Sequence, residues 1–196
     1  RFFQVDEIKT YQHEVGQSLK ISEDSIPDAQ FTAVNLERAT FKSVNLSTVT
    51  FEKANMECAV FNDVDLNCCA FDNAYLDNST INDSSFANAV VENVNMERAK
   101  FNGLNMSRAS FKGINFKETS FNEVSLDDSK LFFSDMINSS FEKIVLTGSK
   151  LTECDLSDVE INDCEINGLK IDGIDIGALI KAIKEKKLDS DKLING

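Results

Sequence analysis

The side chains able to do chemistry are few and scattered. His13 is the sole histidine of 196 residues, so a multi-histidine metal site is excluded and imidazole catalysis would rest on it alone. Five cysteines, Cys58, Cys68, Cys69, Cys154 and Cys164, include no C-x-x-C spacing and are odd in number. They read as reduced structural thiols of a cytoplasmic protein. No phosphate-binding glycine loop, H-E-x-x-H or G-x-S-x-G motif occurs. Carboxylates are the one abundant reactive group: 33 acidic against 20 basic residues leave a net charge of −13. That balance argues against direct nucleic-acid binding, which needs a basic footprint. No apolar run reaches the length of a membrane span, and no signal segment is legible. The sequence therefore predicts a non-enzymatic, membrane-free protein without cofactor or metal, whose partner is another protein.

What positions these carboxylates is a repeat. From Phe31 to Ile176 every fifth residue is Phe, Leu, Met, Ile or Val, without one exception in 30 positions. Eleven of the fifteen Phe and all four Met fall in this column. Two residues earlier runs a column of small residues: Ala29, Val34, Ala39, Val44, Val49 and so on, with nothing charged and nothing aromatic. Between the two columns stands a polar residue, often Asn or Asp (Asn35, Asn45, Asn55, Asp65, Asn95). A period of five matches neither a helix nor a sustained strand. It matches a solenoid whose five-residue sides each point one large and one small residue inward, with backbone hydrogen bonds running between coils. Phe recurs preferentially in alternate repeats, so each coil has an even number of sides; two, four and six all satisfy the pattern.

Segments such as Ala54-Asn55-Met56-Glu57-Cys58 and Ala99-Lys100-Phe101-Asn102-Gly103 resemble the pentapeptide repeat family. The resemblance covers residues 29–176 without insertion or slip. It implies an all-β, right-handed four-sided (quadrilateral) β-helix solenoid of twenty residues per coil, about 7.5 coils or 36 Å long at the spacing of paired strands. Residues 1–20, which break the rule, are expected to form an N-terminal arm or cap, 21–176 the β-helix, and 177–196 a C-terminal capping helix and tail. In that helix Leu179, Ile180 and Ile183 share one face. They read either as a lid over the last coil or as a dimer contact, which gyrase-inhibiting members of the family build at this end.

Sorting outward residues by the implied twenty-residue coil divides the charge unevenly. The side centred on Phe31 sums to zero and the side centred on Leu36 to −6. On the latter, Glu37, Glu57, Asp77 and Glu97 fall in one column, and Asp135, Asp155 and Asp158 continue the acidity. Some family members imitate duplex DNA and occupy the DNA saddle of bacterial gyrase, a type II topoisomerase, several protecting against quinolones. The resemblance thus implies a DNA-mimicking, gyrase-binding protein. The alternative is an interaction scaffold for a different protein, with the acidic surface serving solubility. Phe132, Phe133 and Ile137 are outward by register and mark a candidate apolar interface.

Overall fold

In the computed structural model the described residues are 19–22 and 25–194, with side chains described as far as 186. His13 and most of the arm expected over 1–20 lie outside them. Sixteen short strands, from β1 (Lys20–Ser22) to β16 (Lys170–Ile171), begin at intervals of ten residues. A short β17 (Ile174–Asp175) and α1 (Ile176–Ile194) follow. Of the sixteen, the odd-numbered strands pair in parallel into one sheet and the even-numbered strands into another. Each residue pairs with the one twenty positions on, Phe31 with Phe51 and Phe41 with Phe61. The sides centred on Leu36 and Leu46 carry only a single bridge per coil, such as Asn35 to Asn55 and Asn45 to Asp65. The chain is a four-sided parallel β-solenoid of about eight turns with one C-terminal helix.

This alternation explains the ten-residue preference for Phe. On the two sheet faces the rings stack coil over coil, with centroids 4.9 Å apart for Phe31–Phe51, 4.7 Å for Phe41–Phe61 and 4.7 Å for Phe121–Phe141. Phe86 and Phe116 occupy the other faces, where Phe116 meets Phe121 edge-on at 5.3 Å. From Phe41 to Met136 the large column is buried throughout. The small column, with Ala39, Ala54, Ala59 and Ala99 at 0–1% exposure, lets opposite walls approach.

Two kinds of corner alternate. After each side in phase with Leu36 or Leu46 the chain makes a hydrogen-bonded turn, as in Ala39 N to Leu36 O at 2.9 Å and Ala59 N to Met56 O at 3.0 Å. After each side in phase with Phe31 or Phe41 it bends without one. At both kinds the residue two past the centre is left-handed, at every fifth position from Asp28 to Gly168. Asn, Asp and Gly tolerate that conformation best and fill about half of these positions.

The repeat register, expected to run through Ile176, ends at Ile171. Asp172 and Gly173 both take positive φ, 48° and 83°, and turn the chain back so that Ile174 pairs antiparallel with Ile171. Asp175 then caps α1, accepting the Ala178 amide at 2.9 Å. Two residues assigned to the interior by register are corrected here: Ile161 is 42% and Ile174 56% exposed. No further coil stacks on them. The core beneath thins to a cavity of about 20 Å³ lined by Leu146, Leu151, Leu156 and Leu169 among others.

Candidate protein-interaction surface

The acidic face is built by its asparagines. On the Leu36-centred side, Asn35, Asn55 and Asn95 each accept the amide two residues ahead, that of Glu37, Glu57 and Glu97, at 3.0–3.2 Å. That local bond satisfies an amide at the corner and fixes the backbone from which the carboxylate projects. Ladder bonds stack the corners: the Cys58 amide reaches the Asp77 carbonyl at 3.0 Å and the Asn78 amide that of Glu97 at 2.9 Å. Glu37, Glu57, Asp77 and Glu97 therefore form one column, continued by Lys117, Ile137 and Ser157.

The column is not uniformly negative. Arg38 Nε lies 3.4 Å from Glu37 Oε1. Arg98 spans two coils, 2.6 Å from Glu97 Oε1 and 2.9 Å from Glu118 Oε2, and Lys117 Nζ lies 2.9 Å from Asp135 Oδ2. The bond to Glu118, with the charges of Glu97 and Glu118, raises the Arg98 pKa, and Asp135 does the same for Lys117. Glu57 and Asp77 have no cation within ion-pair distance among the described residues. Asp155 is held below the usual carboxylate range because the Ser157 hydroxyl and amide donate to it at 2.6 and 3.0 Å. Asp158 sits exposed at a left-handed corner. The structure thus joins the candidate acids along one face and concentrates the free charge at Glu57 and Asp77 and around Asp155 and Asp158.

The apolar candidates separate into three places. Phe132 is half-buried on the adjoining Phe31-centred sheet, while Phe133 at its corner is 56% exposed with φ 49°. Left-handed backbone is unusual for a bulky aromatic. Ile137 belongs to the acid column itself. Leu179, Ile180 and Ile183 on α1 are 46%, 37% and 49% exposed, and Ile161 and Ile174 are exposed as well.

The thiols divide as expected of inward and outward positions. Cys69 is buried, and desolvation pushes its pKa well up; Cys154, half-buried, is raised for the same reason. Cys68 is exposed at a corner. A groove of about 710 Å³ that periodicity alone did not reveal runs along another corner, lined by Asp63, Asp65, Asp83 and Ser84. Its sequence signal is Gly103, where an added Cβ would lie 2.7 Å from Asp83 Oδ1. Among the described residues no three Cys, His, Asp or Glu side chains are placed to hold a metal. No helix among them is long and apolar enough to cross a membrane.

The family description "Pentapeptide repeat region" matches residues 94–171, and "Pentapeptide repeats (8 copies)" matches 29–67 and 45–83. No curated protein matches the sequence. Among solved structures, HetL, a pentapeptide repeat protein involved in heterocyst differentiation regulation in the cyanobacterium Nostoc, is 15% identical over 81% of this chain and 92% of its own, with a TM-score of 0.28. QnrB1, a plasmid-mediated fluoroquinolone resistance protein, is 16% identical over 85% and 96%, with a TM-score of 0.35. A pentapeptide repeat protein of the Arabidopsis thaliana thylakoid lumen is 30% identical over 54% and 70%, with a TM-score of 0.29. Superpositions this loose carry no functional argument. The repeat matches themselves, and the five-residue sides of the solenoid that they describe, are decisive: the chain belongs to the pentapeptide repeat family.

Proposed function

We propose that the chain is a non-catalytic acidic rod that mimics duplex DNA and binds a DNA-handling protein, with bacterial gyrase the partner the family suggests. The observation that carries this reading is the coil-by-coil stacking of Glu37, Glu57, Asp77 and Glu97 on one straight face. Duplex DNA carries one charge per about 1.7 Å of axis. The net charge of the repeats, spread over the solenoid, is roughly half as dense. Like charges one coil apart repel, and a partner's cationic saddle would relieve that cost.

The test is a supercoiling assay with the full chain added to gyrase. Inhibition at micromolar protein, lost when Glu57→Lys and Asp77→Lys are combined, is the expected result. Uninhibited gyrase overturns the gyrase assignment. The ion pairs of Arg38, Arg98 and Lys117 support a second reading, an interaction scaffold for another protein whose acidity serves solubility. Under that reading gyrase is indifferent to the protein and to its charge reversals. Within the first reading, the open last coil and the apolar face of α1 are the end at which a second copy could dock; self-association lost in light scattering when Leu179→Asp and Ile183→Asp are combined assigns it to that end.

A further inference from the structure

The Phe31-centred sheet has no net charge, yet its charges are segregated along the rod. One column runs Thr32, Glu52, Asp72, Glu92, Lys112, Phe132, Thr152, each pairing with the next. The column across the same face runs Gln30, Thr50, Ala70, Val90, Ser110, Lys130, Lys150, Lys170. The half nearer the N-terminus is therefore acidic beside small side chains, and the other half is basic. Lys112, Lys130, Lys150 and Lys170 are exposed, and none pairs with a described acid. Three lysines in successive strands repel one another, as do the three acids.

We propose that this face is a self-complementary interface, docking on the same face of a second, antiparallel copy. The inference is independent of the acidic face and of the helix. A two-fold axis along the strands, between the coils of Val91 and Phe111, sets the register. Glu92 then stands opposite Lys112 of the second copy, and Lys112 opposite its Glu92. Lys130 crosses Ala70 to reach Asp72, Lys150 crosses Thr50 to reach Glu52, and Lys170 lies over Gln30. At the corner Lys53 meets Glu153. No like charges oppose each other, and Phe132 and Phe133 are covered by Asp72 and Asn73.

Moving the axis onto Phe111 would set Lys112 against itself and Glu52 against Asp172, so electrostatics select the first register. The small residues Thr50, Ala70 and Val90 matter as much as the charges. They leave room for lysine stems to lie flat between sheets that pack about 10 Å apart. The remaining three faces, which carry the excess of acid in the repeats, point away from the contact. Salt screens their repulsion over about 8 Å at physiological ionic strength. Symmetric, isologous pairing is the commonest form of self-association, and the narrow contact makes this one weak and salt-sensitive.

Sedimentation velocity on the full chain tests it, at low and at high salt. A reversible dimer, weakened at least tenfold by raised salt, is expected. The combined variant Lys112→Glu, Lys130→Glu, Lys150→Glu, Lys170→Glu should be monomeric, as should Glu52→Lys, Asp72→Lys, Glu92→Lys. An equimolar mixture of the two should regain the dimer, because each then meets its complement. A chain monomeric at low salt and high concentration overturns the proposal. So does a dimer indifferent to both charge reversals, or a mixture that stays monomeric. A dimer lost with Leu179→Asp and Ile183→Asp but unchanged by the reversals assigns self-association to the helix instead.

Discussion

Asn55 and Glu57 are joined across the corner that separates them, the Asn55 side-chain oxygen accepting the Glu57 amide at 3.0 Å. The residue that turns the chain is thus the residue that aims the carboxylate. Architecture and surface charge share one device, repeated at Asn35 and Asn95.

Replacing Asn55 by Ala removes that acceptor and leaves the corner amide to solvent. A loss of about 1 kcal/mol is expected, read as a lowered denaturant midpoint. Asn55→Asp keeps the oxygen and should retain most of the stability.

Ser79 occupies the small interior column with its hydroxyl buried and, among the described residues, without a hydrogen-bond partner. Ser79→Ala deletes an unsatisfied polar atom and matches the alanines of neighbouring coils. The variant should be more stable by about 1 kcal/mol. Phe61→Ala, by contrast, empties a slot at 0% exposure. It should cost about 3–5 kcal/mol.

Arg98 offsets Glu97 and Glu118 at the surface. Exposed pairs contribute at most about 1 kcal/mol, so Arg98→Ala should barely change thermal stability. It frees two carboxylates on the acidic face. If the rod substitutes for DNA, the variant should inhibit gyrase at lower concentration than the parent; unchanged or weaker inhibition counts against the mimic.

Thiol reagents should distinguish adjacent cysteines. Cys68 is exposed, whereas burial protects Cys69 and raises its pKa. Because the thiolate is the reactive form, Cys68 should label in the native protein and Cys69 only on unfolding, as counted by mass spectrometry.

Phe133 carries a left-handed backbone and an exposed ring. Phe133→Asn relieves the strain at no cost in packing and should stabilise by up to about 1 kcal/mol. A clear loss of stability in thermal melts would show that the ring packs.

The inward half of the molecule was legible because burial repeats faithfully: Phe41, Met56 and Ala59 hold their positions for one reason, the narrow core. The Asn column was visible, but its cause was not, since an Asn bonding its own backbone looks like any polar residue between two apolar ones. Ion pairs were equally hidden. Arg98 reaches Glu118 twenty residues away, a neighbour only once the coil length is known. At the C-terminus periodicity misled, because Ile174 and Ile176 keep the five-residue spacing while Asp172 and Gly173 reverse the chain. A hydrophobic pattern records what a residue is, whereas a backbone reversal depends on two dihedral angles that the pattern does not encode.

The twenty-residue pairing has a kinetic consequence. Nearly every tertiary contact joins residues one coil apart, as Phe31 with Phe51 and Lys150 with Lys170. Twenty residues in a chain of 196 is a relative contact order of about 0.1, the range of helical bundles rather than of β-sandwiches. This all-parallel β-structure closes only short loops as it forms, and each new coil needs no partner beyond the one already in place. Its refolding should resemble the closing of a zipper, swift for a β-protein and able to start at any coil along the rod.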